Sequence, residues 1–178
     1  MSAYHEVKLT CRLPPGSCEP EERLVEALRS AGYIVEGNRI LGASLEAELK
    51  GASLLGDELM FLVRRADPRA LSELVNVLSR KCWYIDVYYH LRGKEALKAA
   101  GNLGLRLDES GEEAEVREQK VHGISLKINL YPRLAALTIS YRVGWSEANR
   151  SVVMKVHERV FGGMHGAGLL RRLLRWAR

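Results

Sequence analysis

Strict alternation of apolar and polar residues recurs along this chain, and it limits the available folds more than any other feature. Residues 5–13 put His5, Val7, Leu9, Cys11 and Leu13 on one side of an extended backbone, with Glu6, Lys8, Thr10 and Arg12 on the other. Leu59, Phe61 and Val63 repeat the pattern, as do Ile124, Leu126, Ile128 and Leu130, then Leu137, Ile139, Tyr141 and Val143. A period of two marks a strand with one face in the core and the other in water or against a ligand, the habit of antiparallel sheets. Residues 83–92 are aromatic and β-branched, a further strand stopped by Gly93. Segments 33–36 and 39–50 flank Gly37-Asn38, a two-residue hairpin signal. In the second of them Leu41, Ala43, Leu45, Ala47 and Leu49 are expected on one face.

Between the strands the apolar period changes to that of a helix. From Ser17 or Cys18 to Ala31, early acids at Glu19, Glu21 and Glu22 suit a helix N-terminus, Leu24, Ala27, Leu28 and Ala31 form a stripe, and Gly32 stops it. Asp67-Pro68 reads as N-cap and first helical position before Leu71, Leu74, Val75, Leu78 and Cys82. Residues 94–100 form a short helix, and Gly101 to the acidic run at 108–118 an exposed connection. Ser146 caps a helix carrying Val152, Val153, Val156 and Val160, and glycines 162, 163, 166 and 168 precede a last helix from Leu169. The order, β-α-β-β-β-α-β then α-β-β-β-α-α, predicts an α+β fold: a curved antiparallel sheet with helices packed on one face, plus a C-terminal amphipathic helix. Residues 1–161 are expected to be a single α+β domain, and 162–178 a glycine-rich hinge and basic helix. An echo of strand-arginine-capped helix (Arg64 then Asp67, Arg142 then Ser146) raises two ferredoxin-like halves, 1–93 and 94–161. Leu9, Phe61, Leu74, Ile128 and Ile139 are expected nearly fully buried.

With 178 residues, 47% hydrophobic and 28% charged, the chain can bury a sizeable core. Its apolar runs fall far short of the roughly 18 residues of a membrane span, and no apolar leader opens it. Three cysteines without a CxxC pair argue against a disulfide framework and a zinc module, so a soluble, cytoplasmic protein is expected. A single glutamine and five asparagines beside 18 glutamates and 19 arginines resemble a protein that works hot, although eight lysines are few for one.

Most motifs that would announce chemistry are missing. The glycine stretch ends in Leu169-Leu170, lacking the lysine and hydroxyl of a phosphate-binding loop; it precedes a helix, but a hinge explains the glycines. The histidines (His5, His90, His122, His157 and His165) have no metal-ligand spacing and read as surface or strand residues. Cys11, Cys18 and Cys82 read as small apolar residues, and no GxSxG turn appears. No metal or cofactor is implied and no catalytic residue can be named.

Two features remain. The polar strand faces carry Glu6, Lys8, Thr10 and Arg12; Glu46, Glu48 and Lys50; Arg64; Asp86, Tyr88, His90 and Arg92; and Lys127, Asn129, Ser140 and Arg142. If the sheet curls into a basin, Lys8, Arg12, Arg64, His90, Arg92, Lys127 and Arg142 become candidate ligands for a phosphorylated small molecule or nucleotide. Triphosphate-tunnel enzymes use such a basin, but Tyr4-His5-Glu6-Val7-Lys8 lacks the first glutamate of their Glu-x-Glu-x-Lys strand. A solvated face of cross-strand ion pairs is the plainer alternative. The second feature is the chain end. Arg171, Arg172, Arg175 and Arg178 share one side of the last helix with no acid, opposite Leu169, Leu170, Leu173, Leu174 and Trp176. Planar arginines favour phosphate contacts and stacking, which suits RNA, with Arg150, Lys155 and Arg159 adjoining. An RNA-associated binding protein is therefore the first expectation and a phosphate-ligand protein or enzyme the second. The third is homodimerisation or docking to a protein partner through the leucine side.

Overall fold

The computed structural model describes residues 4–53, 55–107, 113–144 and 147–162. Nine antiparallel strands form one open sheet in the order β2-β3-β4-β5-β1-β6-β9-β8-β7. The alternating segments supply its centre: β1 (Tyr4–Arg12), β5 (Glu58–Ala66), β6 (Tyr84–Arg92), β8 (Ile124–Tyr131) and β9 (Ala136–Val143). Short strands β2 (Ile34–Glu36), β3 (Arg39–Gly42) and β4 (Leu45–Ala52) extend one side, and β7 (Glu115–Val121) closes the other. Helices α1 (Pro20–Ser30), α2 (Pro68–Ser79), α3 (Lys94–Asn102) and α4 (Glu147–Phe161) pack on the apolar face. The architecture is the α+β class that the alternation predicts.

Register explains why one face is dry. Val7, Leu9 and Cys11 of β1 lie opposite Val63, Phe61 and Leu59 of β5 and opposite Tyr89, Val87 and Ile85 of β6, and all nine are buried. Leu71, Leu74, Val75 and Leu78 of α2 join the same core, as do Val152, Val153, Val156 and Val160 of α4. Leu9, Phe61, Leu74, Ile128 and Ile139 are each at most 1% exposed. At the start of α2 the Asp67 carboxylate accepts the Ala70 N–H at 2.7 Å, the expected cap.

The β1-α1-β4-β5-α2-β6 portion has the strand order β4-β5-β1-β6, a ferredoxin-like arrangement with the β2-β3 hairpin added at its edge. The second half runs α3-β7-β8-β9-α4. There β8 reaches β9 through a single 3-10 turn at Pro132–Leu134, and the pair is followed by α4 as β4-β5 is followed by α2. Strands β9, β8 and β7 continue the sheet outward from β6, each antiparallel to its neighbour.

Several expectations need correction. Segment 39–50 is two strands: Ala43-Ser44 makes a second tight turn with Ser44 at φ 56°, and Gly42 sits where a Cβ would come within 2.9 Å of the Tyr33 ring. The turn shifts the pleat, so Ile40 rather than Leu41 enters the core. The first helix begins at Pro20, two residues later than read, because proline fits a first turn and Glu19 before it is left-handed, φ 48°. Part of the acidic run is β7, an edge strand; charges persist there because water reaches both faces, and Val116 is 63% exposed. Cys11 and Cys82, read as inert apolar thiols, form a disulfide, leaving Cys18 free and exposed. Two cysteines 71 residues apart meet because α2 returns the chain to the end of β1. Ser146, residues 163–178 and hence the predicted terminal helix lie outside the described residues.

Candidate functional site

Two surfaces carry the basic residues singled out from the sequence, and they differ in charge pairing. The first is the solvent face of the sheet. Because β2 and β7 are separate edges, the sheet is open, and among the described residues that face encloses no tunnel. Between β1, β6 and β9 it holds a groove of about 470 Å³ lined by Lys8, Thr10, Asp86, Tyr88, Ser140 and Arg142. Lys8, Tyr88 and Ser140 stand in one cross-strand row that continues to Lys127. Arg12 and Arg92 occupy opposite ends of the strands: Arg12 faces Tyr84 while Arg92 faces Tyr4, eight residues away, about 27 Å. Of the seven predicted phosphate ligands, the groove gathers Lys8 and Arg142.

Most of those cations already hold an acid. Lys8 Nζ lies 3.0 Å from Glu6, Arg12 Nη1 2.9 Å from Asp57 and 3.2 Å from Glu58, and Arg64 Nη2 3.0 Å from Glu48. Arg142 donates to both Asp86 oxygens, at 2.8 and 3.2 Å, while its guanidinium lies 3.8 Å from the centre of the Tyr84 ring. Hydrogen bonds from Arg64 and Lys50 hold the Glu48 carboxyl below its usual pKa. His90 accepts from Arg92 Nε at 3.3 Å; partial burial, then the Arg92 charge, lowers its pKa and favours the neutral ring. A neutral histidine is a poor anchor for an anion. Lys127 alone among the seven enters no ion pair or hydrogen bond through its side chain with a described residue.

The second surface is the exposed edge of α4. Its buried residues recur at 152, 153, 156, 157 and 160, which leaves Ser151, Lys155 and Arg159 on one exposed stripe at helical spacing. Arg150 is in the first turn of the same helix. Lys155 and Arg159 enter no ion pair with a described residue. They border a hollow of about 430 Å³ with Asn102 from the end of α3, His122 from the β7-β8 turn, Glu158 and Gly162. Asn102 Nδ2 donates to the Val160 carbonyl at 2.9 Å, tying the end of α3 to the end of α4. His122 and Gly123 both have positive φ, 49° and 83°, in a two-residue turn between Val121 and Ile124. No motif in the sequence gives His122 or Asn102 a role. A His-Gly pair between alternating strands was the available signal for the turn, and nothing local pointed to the hollow.

His157, read as a surface or strand residue, is buried in α4, with Nδ1 3.3 Å from the Tyr89 hydroxyl; that hydroxyl is 3.3 Å from Tyr141 Oη. Burial raises the pKa of both tyrosines, so they remain neutral at physiological pH and cross-link α4 to β6 and β9. Arg171, Arg172, Arg175, Arg178 and the leucine side of the predicted last helix lie outside the described residues. None of the described helices is long and apolar enough to cross a membrane.

No protein-family model matches the chain, and no curated protein sequence matches it. Among solved structures, the regulatory subunit of aspartate kinase from Thermus flavus is similar over 87% of this chain and 96% of that one, at 9% identity and a TM-score of 0.27. At that level the likeness passes no property from one chain to the other.

Proposed function

We propose that the protein is an RNA-associated binding protein that holds backbone phosphates along the edge of α4 and through the arginines that follow it. One observation carries the reading: Lys155 and Arg159 have no carboxylate partner among the described residues, whereas Lys8, Arg12, Arg64 and Arg142 on the sheet are neutralised in place. A cation without a partner can meet a phosphate without first breaking an ion pair. Arg159 in the last turn also complements the helix dipole, but Lys155, one turn earlier, has no such explanation. Glu158 in the same hollow partly offsets their charge. From Gly162 the chain runs into a stretch with Arg171, Arg172, Arg175 and Arg178 and no acid, which extends the basic track in sequence. A cytoplasmic setting in a heat-loving cell accommodates both the buried Cys11–Cys82 disulfide and the scarcity of amides.

The test is the salt dependence of binding to single-stranded RNA. Deleting residues 168–178 takes the net charge from +5 to +1. If all four arginines contact phosphates, the slope of log affinity against log salt should flatten by about 2.8, at roughly 0.7 per phosphate. Arg171→Glu with Arg175→Glu should reproduce most of the loss with the melting curve in place. Unchanged affinity and slope after truncation would remove the RNA reading. A second reading, a phosphorylated ligand in the sheet groove, draws support from Lys8, Thr10, Tyr88 and Ser140 lining one depression. Its cost is the displacement of the Glu6 and Asp86 carboxylates from Lys8 and Arg142.

A further inference from the structure

A third basic cluster, prominent in neither the alternation nor the chain end, lies where β1 runs into α1. There the Leu13–Ser17 loop, the start of α1 and the turn after α2 enclose a cleft of about 380 Å³. Arg23 from α1 and Arg80 and Lys81 from the turn all line it, and no acidic residue among the described ones does. None of the three enters an ion pair with a described residue. The glutamates of α1 do not line the cleft, so three like charges face one volume without a counter-ion. That arrangement is unfavourable when empty and favourable around an anion.

The rest of the cleft is apolar and held in shape. Leu13 and Leu24 are buried, and Pro14, Pro15 and Pro20 line it beside them. Ser17 is committed to the loop: its N–H and hydroxyl both donate to the Pro14 carbonyl, at 3.3 and 2.6 Å. The two walls are joined covalently. Cys11 lies two residues before Leu13 and Cys82 directly after Lys81, and their disulfide ties the end of β1 to the turn carrying Arg80 and Lys81. The Trp83 N–H adds a bond to the Arg12 carbonyl at 2.7 Å. The cations thus stand on a stapled frame, and the volume falls in the range of small-molecule sites.

We propose that this cleft binds a phosphorylated small molecule, its phosphate against Arg23, Arg80 and Lys81 and its apolar or ring portion against the proline-lined wall. The proposal does not rest on the α4 reading, because it uses different residues and a different probe. Calorimetric titration of the full chain at low salt with inorganic phosphate, tripolyphosphate and ATP tests it. At least one of the three should bind saturably. Arg80→Ala with Lys81→Ala should weaken that binding about tenfold or more, as expected for losing charged contacts. Arg23→Gln, on a separate element, should weaken it too, and melting should be unchanged because all three side chains are exposed. Lys155→Gln with Arg159→Gln should leave it unaffected. Failure of the parent to bind any of the three probes would overturn the proposal, and so would parent-like binding by the Arg80/Lys81 variant. A single-stranded oligouridylate that loses affinity in that variant, with no binding of the three small probes, would overturn it in favour of a polymer phosphate.

Discussion

The sheet face and the α4 edge are both rich in cations, but most of those on the sheet hold a carboxylate, whereas Lys155 and Arg159 hold none among the described residues. On the sheet, strands about 4.8 Å apart bring residues of different strands together, so Asp86 meets Arg142 directly across and Glu48, opposite Leu62, meets Arg64 on the diagonal. On α4 the exposed stripe borders a hollow shared with the end of α3 and the β7-β8 turn, and Lys155 and Arg159 follow each other at four-residue spacing with no acid between them on that stripe. Basic composition alone therefore does not locate an anion site. What matters is whether the fold delivers a carboxylate to each cation.

The largest effect expected is on the scaffold that both surfaces share. Leu74 is fully buried on the inner side of α2, and Leu74→Ala should cost about 2–5 kcal/mol by denaturant unfolding while leaving RNA affinity of the folded protein unchanged. A coupled loss of affinity would mean that the α4 edge depends on core rigidity, and would blur the comparison. Next in size is the cap of α2, the helix that packs beside α4. Asp67→Ala removes the acceptor for the Ala70 N–H and should cost about 0.5–2 kcal/mol, read as a lower melting temperature.

Smaller effects belong to the sheet face itself. Lys8→Gln with Arg142→Gln breaks two solvated ion pairs and should change stability by less than about 1 kcal/mol, with the remaining effect fading at high salt. A larger loss would show that these pairs are structural, which would widen the contrast with α4. The smallest effect is the titration of His90. Its folded pKa lies below its unfolded one, so the unfolded chain binds more protons between the two values. Its contribution is present above the ordinary histidine pKa and is lost as pH falls through the folded value. His90→Asn should reduce the slope of stability against pH just below the ordinary histidine pKa, and an unchanged slope would show that the ring is not held neutral.

Much of the fold was legible because period two reports burial directly. Phe61, Ile128 and Ile139 could be assigned to the core from their neighbours alone, and Asp67-Pro68 announced α2. Legibility failed where the deciding contact is distant or the local signal weak. The turn at Ala43-Ser44 carries no strong turn residue, so one strand was read for two and the pleat was placed one residue out. The Cys11–Cys82 bond depends on α2 returning the chain to β1, which spacing does not reveal. The candidate sites divide in the same way. Lys155 and Arg159 could be named from helical spacing, but Asn102 and His122 reach the hollow from other elements. Lys8 pairs with Glu6 within its own strand, but the neutralisation of Arg12, Arg64 and Arg142 depends on how strands pair, which the sequence alone does not reveal.

The most direct test of the contrast is one set of salt titrations on single-stranded RNA, comparing the parent with two double variants that each remove two positive charges. Lys155→Gln with Arg159→Gln should flatten the slope of log affinity against log salt by about 1.4, while Lys8→Gln with Arg142→Gln should leave it unchanged. Flattening by the sheet pair and none by the α4 pair would contradict the account, because cations already held by carboxylates would then be the ones that meet the phosphates.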